Sequence, residues 1–246
     1  MFARETEPTF VADGVVRLGS ELVNFHLVEE DGAVTVVDAG SPAYRTQLED
    51  GLKLLGRTKE DVAAVILTHA HEDHLGFAAE LRVPVYVHTD DESLALTGKS
   101  AKKNEASPFP YLRHAHAWKL IAHLMSGGRP KRPATVTTFG GDETLDVPGH
   151  PRVVHTPGHT TGHVCFWLES RGLFVVGDLL CTRNPLTGGR GPQMMPRAFN
   201  VSTGTILDSL SKIEQLPAQT IVFGHGEPWS QGAEEAVRRA RSTGPT

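Results

Sequence analysis

Apolar positions along this chain fall into two rhythms: short alternating or unbroken runs that predict strands, and longer stretches at three-to-four spacing that predict helices. Strands are predicted at 15–18, 22–28 and 33–37, parted by Gly19 and the Asp31-Gly32 turn pair, and together they read as a meander. A helix at 43–55 leads through Gly56 to an apolar strand at 62–67. The chain then alternates helix 76–81, strand 84–87 and helix 90–96. Residues beyond 140 repeat the scheme, with strands at 144–147, 152–155, 163–168 and 173–176, a helix at 203–216, a strand at 220–223 and a last helix at 230–241. Two strand-rich halves that each end in helices imply an α/β fold with two sheets face to face and helices outside. No short repeat period is present, which excludes solenoids and propellers.

A segment of different character separates the halves, at about 97–135. It carries Lys99, Lys102, Lys103, Arg113, Lys119, Arg129, Lys131 and Arg132 against a single acid, Glu105. Within it, 111–125 reads as an amphipathic helix with Tyr111, Leu112, Trp118, Ile121, Leu124 and Met125, punctuated by Pro108, Pro110 and Gly127-Gly128. Two readings stand: an insertion that covers a site, or a solvated basic helix.

Composition narrows the class. The 246 residues hold 39% hydrophobic and 22% charged side chains, an ordinary globular balance, so we read residues 1–246 as one large domain with the basic insertion at about 97–135. A formal net charge of −5 argues against a nucleic-acid backbone as main partner. The opening MFARETEPTFVADG lacks an apolar core, and no apolar run is long enough to span a bilayer. A cytoplasmic protein with a small-molecule substrate and no membrane partner is therefore expected, its oligomeric state open. Cys165 and Cys181 read as two buried thiols.

The candidate chemistry lies in the histidines, of which there are 13. Directly after the predicted strand 62–67 comes Thr68-His69-Ala70-His71-Glu72-Asp73-His74-Leu75-Gly76. Imidazole and carboxylate at H-x-H-x-D-H spacing suit zinc and its neighbours. His69 and His71 can point the same way on an extended loop, and the turn into the next helix brings Asp73 and His74 to an adjacent position. Four ligand types within six positions can feed two ions. Further candidates follow strands in the second half: Thr156-Pro157-Gly158-His159-Thr160, then Gly177-Asp178, then Gly224-His225-Gly226. Each places a metal-type side chain at a sheet rim beside a glycine.

With these motifs in order, and with Val37-Asp38-Ala39-Gly40 before them, the sequence resembles the metallo-β-lactamase fold superfamily of metallohydrolases, on its glyoxalase II and acyl-homoserine-lactonase side. The resemblance implies a four-layer αβ/βα sandwich. It also implies that His69, His71 and His159 hold one divalent ion and Asp73, His74 and His225 another, with Asp178 bridging them. Asp38 would support the site from behind, and His163, which completes an extended P-G-H-T-x-G-H form, would lie outside the ligand set. The remaining histidines have no spacing that closes on this site. The chain shows no segment after His225 long enough for a glutathione-holding helical domain, and its tyrosines, Tyr44, Tyr86 and Tyr111, all precede Asp178.

Two such ions, zinc first and manganese or iron as alternatives, would supply a bridging hydroxide at neutral pH and polarise a carbonyl, with Asp73 steering the nucleophile and carrying a proton. Hydrolysis of an ester, lactone or thioester is the reaction expected. No G-x-S-x-G elbow or phosphate-binding P-loop offers another chemistry. The competing readings are a mononuclear-iron persulfide dioxygenase of the same fold and a metal-dependent nuclease. Substrate choice is expected from the insertion and from the Gly-rich loop 184–199, with Tyr111, Trp118, Met194 and Met195 giving apolar contact and the basic residues attracting an anionic substrate.

Overall fold

The computed structural model describes residues 6–246. Seven strands, β1 (Thr9–Ala12), β2 (Val15–Gly19), β3 (Asn24–Glu30), β4 (Ala33–Val37), β5 (Val62–Ile66), β6 (Val85–His88) and β7 (Thr137–Phe139), lie in chain order in one sheet. The first four pair antiparallel through tight turns, and β5, β6 and β7 then add in parallel. Later come β8 (Arg152–His155), β9 (Val164–Leu168), β10 (Leu173–Val175), a hairpin of β11 (Leu180–Arg183) with β12 (Arg190–Met194), and β13 (Thr220–Val222). The second sheet is ordered β8-β9-β10-β13. The helices are α1 (Arg45–Leu54), α2 (Glu72–Leu75), α3 (Glu92–Thr97), α4 (Ala115–Gly127), α5 (Thr203–Glu214) and α6 (Ala233–Thr243).

Period-two alternation sorts each strand between two cores. Val15, Val28, Val37 and Ile66 of the first sheet meet Val164, Phe166, Leu173 and Val175 of the second in a buried middle layer. Their neighbours Val16, Leu27, Val36 and Val65 face the other way, onto Leu48 and Leu52 of α1. Trp167 and Phe174 likewise turn outward onto Ile206, Leu210 and Ile213 of α5 and Val237 of α6. The result is the expected four-layer sandwich, helices outside two sheets.

Several local expectations change. Residues 144–147 are not a strand: Thr144 makes only an isolated bridge to Arg152, because Pro148 and Pro151 interrupt the backbone donors there. The predicted helix 76–81 is only a 3-10 turn at Ala78–Glu80; the single turn α2 comes before it and ends at Gly76, φ +32°. The predicted helix 111–125 is broken at His114, extended at ψ 129°, into a 3-10 turn at Phe109–Arg113 and α4. Residues 184–199 contain β12 rather than only loop. The edge strands β1 and β7 were too short to announce themselves by alternation.

Gly76 couples the first ligand cluster to the end of β4. A Cβ there would stand 2.0 Å from the Gly40 carbonyl oxygen and 2.1 Å from that of Ala39. Gly76→Ala is expected to cost at least about 2 kcal/mol through this backbone clash, measured as a lowered urea midpoint.

Candidate metal centre

The strands β8, β10 and β13 run in one direction, as do β4 and β5, so the loops leaving their C-terminal ends gather at one rim. Those loops carry Asp38, Thr68 to His71, Thr156 to His159, Asp178 and His225; α2 adds Asp73 and His74. The structure brings all seven expected ligand types together. Ligand atoms of His69, His71 and His159 lie within 4.8 Å of one another, as do those of Asp73, His74 and His225, and those of His69, His74 and Asp178. Asp178 sits between the sets. Its Oδ2 is 3.0 Å from His225 Nε2 and 3.4 Å from His159 Nε2, while Oδ1 is 3.4 Å from His74 Nε2.

Hydrogen bonds behind the rings decide which nitrogens face inward. His74 Nδ1 donates to Asp38 Oδ2 at 2.8 Å, His159 Nδ1 donates to Asn200 Oδ1 at 3.2 Å, and His225 Nδ1 donates to the Leu22 carbonyl. The Thr68 hydroxyl donates to Asp38 at 2.8 Å and so accepts from His69 Nδ1 at 3.2 Å. In each of these four rings Nε2 is left facing the centre. His71 instead presents Nδ1, which lies 2.9 Å from His159 Nε2. His69 Nε2, His74 Nε2 and Asp178 Oδ1 are buried without any hydrogen-bond partner. Leaving three such atoms unmet is costly unless a cation meets them. The donor set of imidazoles and carboxylates fits a divalent transition metal.

Charge follows the same geometry. Burial, reinforced by His74, His159 and His71, keeps His69 well below its ordinary pKa, and burial holds His159 well below too. These rings are neutral and ready to coordinate. Burial opposes charge on His74 and His225 as well, but Asp178 overrides it and raises both. Asp178, although buried, is held well below the usual carboxylate range by His225 and His74.

Two expected supporting residues touch the centre from behind. Asp38 stands at φ +58°, a backbone conformation that favours Asp among non-glycine residues, and its carboxylate binds Thr68 and His74. His163 Nε2 accepts the Asp178 backbone N–H at 3.1 Å, and its Nδ1 donates to the Thr156 carbonyl at 3.2 Å. Burial lowers the pKa of this ring to about 3, so it stays a neutral acceptor.

Three supporting residues were missed. Asp91 is a buried carboxylate that accepts from Ala70 N–H at 3.2 Å, the Thr160 hydroxyl at 2.7 Å and Gly162 N–H at 2.9 Å. It stitches the loop of His69 and His71 to the loop of His159. Asn200 orients His159, and Asn24 donates to the carbonyls of Phe223 and Gly226 at 3.1 and 2.7 Å, fixing the loop that carries His225. None stands within a ligand motif, and only their contacts identify them.

A cavity of about 250 Å³ opens over the centre, walled by Ser41, Pro42, Asn104, Leu120, Leu124 and Phe199. The insertion contributes Asn104, Leu120 and Leu124 to these walls, and none of Tyr111, Trp118, Met194 and Met195 is among them. Trp118 is 57% exposed on the far side of α4, Met194 is buried in the core between β12 and the outer helices, and Met195 is buried as well. Tyr111 packs on the small cluster of Ala117, Leu120, Leu186 and Ala198. Helical phase is the reason: positions 120 and 124 share one face, and 118 lies opposite. Of the other histidines, His88 and His155 stack at 4.2 Å near Asp90, away from the cavity.

Asp91→Ala is expected to weaken metal binding about 10–100-fold in chelator competition, with partial recovery in Asp91→Asn, which keeps one acceptor. Gly224→Ala, whose Cβ would stand 2.1 Å from Asp178 Oδ1 and 2.6 Å from His74 Cε1, is expected to abolish stoichiometric loading, read by elemental analysis.

Known proteins resemble this arrangement. A family model described as the metallo-beta-lactamase superfamily matches residues 18–225. A probable metallo-hydrolase of Bacillus subtilis, YflN, is 26% identical over 88% of this chain and 85% of its own length. A hydroxyacylglutathione hydrolase of Rhodospirillum rubrum is 29% identical over 79% of this chain but only 57% of its own length. Among solved structures, a metallo-beta-lactamase family protein of Thermus thermophilus superposes with TM-score 0.66 at 27% identity, over 94% of this chain and 80% of its own. The Rm3 metallo-beta-lactamase, at TM-score 0.69 and 16% identity over 96% of this chain and 91% of its own, shares the fold.

Proposed function

The chain belongs to the metallo-beta-lactamase superfamily, and we propose that it is a hydrolase that holds two divalent cations and cleaves an ester, lactone or thioester. The observation that carries this reading is the ring of inward Nε2 atoms around Asp178, three of its ligand atoms buried and unpartnered. His69, His71 and His159 would hold one cation, Asp73, His74 and His225 the other, and Asp178 would reach both. Zinc is the expected ion, with manganese or iron served by the same donors. Such cations supply Lewis acidity toward a carbonyl oxygen and acidify water at neutral pH.

The chain's own residues do the rest. The Asp73 carboxylate lines the cavity, with Oδ2 3.9 Å from His225 Nε2, placed to hold a proton and pass it to a leaving group. Asp38, Asn200 and the Leu22 carbonyl keep the rings in the tautomers that coordination needs. Leu120, Leu124 and Phe199 exclude water and take an apolar part of the substrate, while Ser41 and Asn104 offer polar contacts. Assembly of the complete second set favours hydrolysis over a mononuclear-iron dioxygenase, and the overall acidity disfavours a nuclease. An acylated glutathione, the substrate named for the Rhodospirillum rubrum relative, belongs in the screen beside lactones and aryl esters.

Hydrolysis of one of these classes is expected to vanish on chelation and return with zinc. Asp73→Ala should lower kcat about 10²–10⁴-fold. Purified protein with one iron per chain that consumes oxygen and hydrolyses nothing would overturn the proposal.

A further inference from the structure

Helix α4 buries His116, Ala117, Leu120, His123 and Gly127, while its outward side carries Trp118, Ala122 and Met125 beside Lys119 and Ser126. Trp118 is 57% and Met125 80% exposed, and Phe109, 76% exposed, stands in the turn just before the helix. The Trp118 indole N–H donates to the Leu112 carbonyl at 2.8 Å, which lays the ring over that turn. Two polar contacts and one close backbone approach fix this rotation. His123 Nε2 is 3.0 Å from the Tyr44 hydroxyl, Arg183 Nε donates to His116 Nε2 at 3.3 Å, and a Cβ on Gly127 would meet Ser41 Oγ at 2.1 Å. The helix cannot roll its tryptophan and methionine inward without losing all three. An apolar face held outward in this way is the mark of an interaction surface.

Its surroundings choose the partner. Exposed Arg113, Lys119 and Arg129 stand in the turn before α4, on α4 and just after it, with Lys119 Nζ 4.0 Å from Glu21, and the segment's one carboxylate, Glu105, is already bonded to Arg197 and Thr203. A second copy docked on this face through its own equivalent face would set like charges against each other. An anionic lipid layer offers phosphates to the cations and an acyl boundary to the apolar side chains, and Trp with Lys or Arg is the combination that settles at such a boundary.

We propose that α4 and the turn before it dock the protein on an anionic lipid surface, without spanning it, beside the cavity mouth at Leu120 and Leu124. No helix among the described residues is long and apolar enough to cross a membrane; the expectation of no membrane partner rested on the lack of a span and does not bear on surface docking. The proposal stands independently of the reaction catalysed.

Trp118 is its own probe, because Trp167 is 3% exposed and Trp229 is tied by its N–H to the Gly232 carbonyl. Vesicles of phosphatidylcholine with about one-third phosphatidylglycerol should shift tryptophan emission to the blue and co-sediment the protein, whereas phosphatidylcholine alone should do neither. The double variant Trp118→Ser with Met125→Ser should lose at least about tenfold in partitioning with an unchanged circular dichroism spectrum. Arg113→Gln with Lys119→Gln and Arg129→Gln should weaken binding to the anionic vesicles. Equal binding to neutral vesicles, no binding to either, or a solution dimer that buries Trp118 would each overturn the proposal.

Discussion

One ionised carboxylate, buried at the meeting point of two sheets beneath the cavity, sets the terms for this molecule. Asp178 is 2% exposed and touches His74, His159 and His225. A buried negative charge is tolerated only with positive charge and donors arranged around it. The backbone N–H of Asp178 is held by His163, and its oxygens by rings that are themselves anchored to Asp38, Asn200 and a main-chain carbonyl. Each loop at the rim is thereby fixed through contacts that converge on one residue.

Glycines make that convergence possible. Gly177, at φ +50°, lets the chain turn into Asp178 where a Cβ would stand 2.7 Å from the Thr68 hydroxyl and 2.9 Å from His163 Nε2. Gly224 leaves open the space beside Asp178 Oδ1 that any larger residue would fill. The apolar middle layer between the sheets supplies rigidity beneath the loops that carry the ligands. The insertion is added over this frame, its inner face walling the cavity and its outer face directed away from the protein.

The sequence by itself determined the elements whose periodicity is long and whose chemistry is local. Strands β2 to β5 and β8 to β10, the main helices, and the run from His69 to His74 all follow from side-chain type and spacing, because alternation and ligand clustering act over a few residues. The order of the remaining motifs, each an apolar run, a glycine and a metal-type side chain, already carried the family resemblance. What only the tertiary structure decided depends on contacts between distant segments. Asp91, Asn200 and Asn24 matter through hydrogen bonds that span 69, 41 and 202 positions. Trp118 and Met194 left the cavity because helix rotation and sheet pairing, fixed by His116, His123 and the β11–β12 hairpin, outweigh the local pattern. Amphipathicity says that a helix has two faces; only packing against the rest of the chain says which one turns inward.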